Sequence, residues 1–262
     1  TKTFSNNDKP LYFAENKERF KKFKDRIIHI VVDDFHPFDI AWNYEFYQRN
    51  SIARGLKECH KDDVILISDV DEIPNPDKIL KYKEHPGVKV FRQKMFYYYL
   101  NNRDIYSPFS ANISTKMLFY SDFLKYDASA QQVRFTKGKF LKNGGWHFSY
   151  LGGVESVALK IKSFAHQELN TQEYTDLQNI KNRIMSGQYL YGKKTKRYAS
   201  VRIDNSFPQY IRSHQHMYAH LVLQPSITFL DRCLFSVNVL KSICILYAKQ
   251  MKQLVLYKIK KV

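Results

Sequence analysis

The chain has 262 residues, of which 44% are apolar, 15% aromatic and 26% charged, so it can bury a sizeable core; a disordered chain is excluded. Its 42 basic against 25 acidic residues leave a net charge of +17, which favours a polyanionic partner: phosphate-bearing substrates, nucleic acid or an anionic membrane surface. Three cysteines without CxxC spacing (Cys59, Cys233, Cys244) argue against a disulfide framework or a zinc site and favour a reducing compartment.

The first residues, TKTFSNNDKPLYF, carry no signal-peptide pattern. The expected localisation is cytoplasmic with membrane association, or the Golgi lumen if an upstream anchor has been removed. Residues 26–34, RIIHIVVDD, form a β-branched apolar run ending in acids and read as a buried strand. Residues 41–58 read as a helix, with Trp42, Phe46, Ala53 and Leu56 as its buried stripe. Residues 64–68, VILIS, are a second short apolar run, and the three segments together predict a β-α-β unit in a parallel sheet. Asn75 is placed to cap a following helix, with Pro76 in its first turn and Asp77 at the positive end of its dipole.

Residues 88–100, VKVFRQKMFYYYL, read as a long aromatic strand, and 145–153, GWHFSYLGG, as a glycine-bounded loop or strand end. A further helix is expected from Asn170, with Glu173 completing a capping pair, toward Gly187. Residues 223–262 hold seven Lys or Arg against one acid, Asp231. Their apolar stretches are split by Lys241 and fall short of the roughly 20 residues a bilayer span needs. The expectation there is a basic amphipathic helix, either packed on the domain or lying on an anionic membrane. The predicted boundaries are therefore 1–222 for the main domain and 223–262 for a helical appendage.

The most informative segment is Ser68-Asp69-Val70-Asp71-Glu72-Ile73-Pro74. A buried apolar run ends here in three acids within four residues. Strand alternation gives Asp69 and Asp71 a common direction. Two converging carboxylates repel unless a cation lies between them, and Mg²⁺ or Mn²⁺ accepts such ligands while leaving positions for phosphate oxygens. In open α/β sheets, ligands also bind at that end of the strands.

The string SDVDEIPNP resembles the metal motif of glycosyltransferase family 17, the β-1,4-N-acetylglucosaminyltransferase family that includes the enzyme adding bisecting N-acetylglucosamine to N-glycans. Further matching stretches are KPLYFAENKERF (9–20), RIIHIVVDDF (26–35), YQRNSIARGL (47–56), GGWHFSYLGG (144–153) and KIKSFAHQELN (160–170). They lie in order over residues 1 to about 222. The resemblance implies an α/β, GT-A-like Rossmann-type mixed sheet flanked by helices, a UDP-N-acetylglucosamine-like donor, Mn²⁺ or Mg²⁺, and inversion at the anomeric carbon. It also implies an upstream first strand of the nucleotide-binding sheet, which would precede residue 1.

In related sites the second acid bridges metal to diphosphate, so Asp71 carries most weight beside Asp69. His166 is a candidate third ligand. Glu72 is a candidate for orienting the motif or binding the donor sugar. Glu155 is the first candidate for the base, because it follows Gly152-Gly153, where backbone can approach a sugar closely; Glu168 is its rival. Trp146 and His147 are candidates for sugar contact. Arg49 lies on the apolar stripe of the 41–58 helix and needs a partner, either donor phosphate or a nearby carboxylate, with Asn50 and Arg54 beside it. Asp33 and Asp34 are candidates for uridine or ribose. The acceptor is expected to be a glycan or glycolipid. Two other classes stay open: a metal-dependent nucleic-acid-processing enzyme, which would use the same acids and the positive charge, and a degenerate non-catalytic nucleotide-sugar-binding protein.

Overall fold

The computed structural model describes residues 3, 8–34, 38–110, 113–192, 197–226 and 228–259. The chain opens with α1 (Tyr12–Glu15) and a 3₁₀ run (Lys17–Arg26), then forms α2 (Ala41–Asn50), which tightens into a 3₁₀ helix (Ser51–Leu56). β1 (Val64–Ile67) leads through the acidic segment into β2 (Glu72–Pro74) and α3 (Pro76–Tyr82). β3 (Lys89–Tyr97), β4 (Asn102–Asp104), β5 (Lys116–Phe119), α4 (Tyr120–Leu124), α5 (Ala130–Phe135) and β6 (Lys139–Ser149) follow. The remainder is largely helical: α6 (Gly153–Ser163), α7 (Gln172–Thr175), α8 (Leu177–Met185), the short strand β7 (Tyr198–Ser200), α9 (Gln209–Ser213) and the long α10 (Phe229–Ile259).

The strands form one mixed sheet, so the molecule is α/β. Its centre is the parallel pair β3–β6, running from Lys89↔Lys139 to Tyr97↔Ser149. β2 pairs antiparallel with the outer edge of β6. The other edge of β3 is shared: β5 pairs with Lys89 and Val90, and β4 pairs at Phe96. β1 lies outside β5 and β7 outside β4, both antiparallel.

β3 holds the centre with Val90, Phe91 and Phe96 fully buried, although Arg92, Gln93 and Lys94 interrupt its apolar run. The register between β3 and β6 shifts after Phe91, where Lys142–Gly144 bulge out of β6. The two glycines there are needed for close approach. A Cβ on Gly144 would sit 2.6 Å from the Arg92 nitrogen, and one on Gly145 would sit 2.1 Å from the Ile73 carbonyl oxygen.

One core layer packs Ile65, Ile67, Leu118, Phe123 and Val133 between the β1–β5 edge and the 3₁₀ helix Ser51–Leu56, α4 and α5. A tyrosine-rich layer joins Tyr97, Tyr98 and Tyr198 to Ile161 of α6 and to Ile180 and Ile184 of α8. A third gathers Phe96, Phe148, Phe207 and Ile211.

Several expectations are corrected. Residues 27–34 form no strand; Ile28 and Val31 are exposed, at 72% and 61%, and Gly55 lies against Ile28 and Ile30. Apolar alternation is not sufficient for a strand without a neighbouring edge to share hydrogen bonds. β1 pairs with β5 alone among the described residues, and antiparallel, so 26–68 is not a parallel β-α-β unit. The 41–58 helix is broken at Ser51 into α and 3₁₀ halves. The helix expected from Asn170 is divided into α7, which starts at Gln172, and α8, which starts at Leu177, where the Asp176 carboxylate accepts from the Asn179 N–H at 2.8 Å; Asn170 donates to Gln167. The α3 cap is as read: Asn75 Oδ1 accepts from the Asp77 N–H at 3.0 Å. Among the described residues no helix is long and apolar enough to cross a membrane.

Candidate active site

The acidic segment is a turn between β1 and β2, closed by the Glu72 N–H donating to the Asp69 carbonyl at 3.0 Å. A second bond, from the Phe148 N–H to the Asp71 carbonyl at 2.9 Å, ties the turn to β6. Val70, at its tip, is fully exposed. The turn, rather than strand alternation, therefore sets the directions of the two aspartates, and each meets its own group of basic side chains.

Glu72 points inward with its side chain fully buried. Arg134, on the inner side of α5, grips it in a fork: Nη2 to Oε1 at 3.1 Å and Nη1 to Oε2 at 3.2 Å. Thr115 Oγ1, Ser68 Oγ and the Asp69 N–H also donate to Oε2, at 3.0, 3.3 and 3.2 Å. Both oxygens of Glu72 are thus committed inside the protein, which leaves it to orient the motif rather than to meet a sugar. The buried Lys116 adds positive potential; burial and the neighbouring Arg134 push its ammonium down to about 8.

Asp69 is 38% exposed and receives Arg134 Nη2 on Oδ2 at 2.5 Å, with Arg49 Nη2 at 3.4 Å from Oδ1. Arg49 is held in turn by Gln131 (2.6 Å) and Glu45 (2.9 Å). Of the two partners expected for Arg49, the structure supplies the carboxylate. Asn50 accepts from Ser129 Oγ and the Gln131 N–H, both at 3.0 Å, docking α2 on the start of α5.

Asp71 is 24% exposed; its Oδ2 lies 3.3 Å from Lys160 Nζ of α6 and 3.4 Å from His147 Nε2 of β6. Burial alone would raise its carboxyl, but the imidazole and the ammonium outweigh it and hold Asp71 down to about 2. No hydrogen bond to Oδ1 is formed among the described residues. His147 Nδ1 is buried, 3.9 Å from Glu72, and without a hydrogen-bond partner among the described residues.

The histidine beside the acids is thus His147. His166 packs its ring edge-on to Trp42 at 4.4 Å and bonds Glu168 at 2.6 Å, on the surface. Among the described residues no three or more His, Cys, Asp or Glu are grouped so as to hold a metal ion, and His166 is not brought together with Asp69 and Asp71. A hard dication held by one or two carboxylates takes its remaining ligands from phosphate oxygens and water; of the two aspartates, Asp69 has both oxygens on arginines, and Asp71 keeps one oxygen without a hydrogen bond among the described residues.

The other candidates are distributed as follows. Glu155 is exposed in the first turn of α6, which opens at Gly152 (φ +103°) and Gly153 (φ +87°); Lys160 lies on the same helix, about 7 Å further along its axis. Asp34 makes a two-pronged pair with Arg54 (3.0 and 2.8 Å), whose guanidinium holds the carboxyl below its usual range, while Asp33 is exposed. Trp146 and His147 point to opposite faces of the sheet, as neighbours in a strand must. Trp146 donates to the Ser206 carbonyl at 2.8 Å and lines a cleft of about 930 Å³ with Lys94, Tyr210, Arg212 and His214. Asp69, Asp71, His147 and Lys160 do not line that cleft.

This arrangement, an exposed turn presenting two carboxylates with four basic side chains around them, agrees with an independent comparison of the whole chain with known families. The family model of glycosyltransferase family 17 matches residues 1–226. The chain belongs to glycosyltransferase family 17. Searches of curated proteins and of solved structures return no match. Membership makes the chain a glycosyltransferase, with a nucleotide-sugar donor and a glycan acceptor as its general partners. Every residue discussed in this section lies inside the family 17 match, which stops just before α10.

Two of the residues that surround the acidic turn were not anticipated. Arg134 carried a usable signal, a cation on the buried stripe Ala130-Val133-Arg134 of a short amphipathic helix. Lys160 had none, since it reads as one more basic residue in KIKSFAH.

Proposed function

We propose that this glycosyltransferase has a GT-A-type site and transfers N-acetylglucosamine, or a related sugar, from a UDP-sugar to a glycan hydroxyl with inversion, in a metal-dependent reaction. The observation that carries the reading is Asp71: a carboxylate on an exposed turn, backed by Lys160 and His147, with one oxygen left for a ligand. Asp69 and Asp71 would hold Mn²⁺ or Mg²⁺, which when bound offsets charge on a diphosphate leaving group.

The chain's own groups supply the rest. Lys160 adds a positive charge on the Asp71 side, where it can meet phosphate oxygens. Arg134 and Glu72 fix the turn so that neither aspartate has to be ordered during the reaction. Glu155, exposed beyond the Gly152-Gly153 turn, is the group proposed to accept the proton of the acceptor hydroxyl, an effect worth about 10²–10⁴-fold.

The test is UDP release from UDP-N-acetylglucosamine with Mn²⁺ and a glycan acceptor. Asp71→Asn is expected to abolish turnover and Glu155→Gln to lower it by about 10²-fold or more. Unchanged turnover in Asp71→Asn would rule out the role given to this turn.

A further inference from the structure

The face of the sheet turned away from the acidic turn carries a second cleft that the transfer reaction does not use. β3, β6 and β2 set Lys94, Trp146 and Ile73 in one cross-strand row, because Lys94 pairs with Trp146 and Trp146 with Ile73. Glu72 and His147 are the next residues along β2 and β6, so strand alternation turns them to the opposite face. Residues 205–214 are fastened over the row: the Ser206 carbonyl accepts from Trp146 Nε1 and from Lys94 Nζ, both at 2.8 Å. The row and this segment line the cleft of about 930 Å³, a size that takes small ligands.

The lining combines aromatic rings with amides. Tyr210 is 56% exposed and its ring stacks on His214 at 4.1 Å, while Trp146 is fixed through its ring nitrogen. The side-chain amides of Asn143 and Gln209 are exposed and form no hydrogen bond among the described residues. Flat aromatic faces pack on the apolar face of a sugar ring, and free amides pair with its hydroxyls.

Two cations in the lining lack a counter-ion. Arg212 donates from Nη1 to Asn205 at 2.9 Å, and its Nε is buried without a hydrogen-bond partner among the described residues. Neither Arg212 nor Lys94 forms an ion pair among the described residues. Asp77, at the start of α3, is the single carboxylate among the described lining residues, and Asp204 near Lys94 accepts from the Ser206 N–H at 2.8 Å. Burial works against the Lys94 charge, and an anion in the cleft offsets that cost.

We propose that this cleft is a glycan-binding site separate from the transfer site, and that it takes a sugar bearing a carboxylate or sulfate group. An arginine meets either group with paired, charge-assisted hydrogen bonds. Binding there needs neither Asp71 nor a metal, so it is tested independently of the transfer reaction.

The test reads Trp146. The chain has two tryptophans, so Trp42→Phe leaves Trp146 as the sole one. Its fluorescence is titrated in EDTA with tetragalacturonate, a sulfated chondroitin tetrasaccharide, neutral cellotetraose and UDP. At least one acidic saccharide is expected to shift the emission and to bind about tenfold or more tighter than cellotetraose. Arg212→Gln and Tyr210→Ala are each expected to weaken that binding about tenfold or more with an unchanged circular dichroism spectrum. Should Arg212→Gln alter the spectrum, Tyr210→Ala, at its exposed position, decides. Asp71→Asn, and Lys181→Gln on the exposed side of α8, are expected to leave saccharide binding as it was. No shift with either acidic saccharide, equal binding of cellotetraose, a loss in Lys181→Gln as large as in Arg212→Gln, a loss in Asp71→Asn, or displacement of the saccharide by UDP would each overturn the proposal.

Discussion

Arg134 holds Glu72 through two nitrogens and Asp69 through one, with only 6% of its side chain exposed. Removing one partner from such a buried pair leaves a desolvated charge, which costs about 3–5 kcal/mol. Glu72→Gln is therefore expected to lower the unfolding free energy by roughly that amount in urea titrations. Asp71→Asn is expected to leave the fold intact, because its basic partners keep access to water. A loss of activity without a loss of stability in Asp71→Asn, and the reverse order of effects in Glu72→Gln, would separate the chemical acid from the structural one. Lys94 gives a pH prediction. Burial, and Arg103 nearby, push its ammonium down to about 8, below the ordinary value of 10.5. Between those two values the unfolded chain binds the additional proton, so the Lys94 contribution to stability rises as pH increases through that window. Thermal unfolding followed from pH 7 to pH 10 should show a rise that is smaller in Lys94→Met.

At the scale of elements, the β3–β6 pair and its glycine bulge place the acidic turn, because β2 hangs on β6 through Ile73↔Trp146 and Glu72↔His147. Gly145 has φ +138° and no room for a Cβ. Gly145→Ala is expected to destabilise by more than 2 kcal/mol and to loosen β2, which amide hydrogen exchange at Ile73 would detect. Local features of this region were legible from sequence. The apolar run before Asp69 is a strand, and Asn75-Pro76-Asp77 starts a helix, since a run and a cap each depend on a few adjacent residues. Long-range features were not. Arg134 reaches Asp69 across 65 positions, and Lys160 reaches Asp71 across 89. The 27–34 segment failed for a related reason: its β-branched pattern suits a strand, but whether a strand forms depends on an edge that the pattern does not encode.

At the scale of the molecule, Arg49, Arg134 and Lys160 balance Asp69, Asp71 and Glu72 at the acidic turn, so the excess of +17 is carried by the rest of the chain. A nucleotide diphosphate brings negative charge to the same place, which a basic surface attracts at long range and salt screens. UDP binding is therefore expected to weaken as salt rises. Calorimetric titration of UDP into the full chain, with and without Mn²⁺, reads the site most directly. Binding that requires Mn²⁺ and disappears in Asp71→Asn is the predicted result; UDP binding of equal strength in both proteins, or none in either under any metal condition, would contradict it.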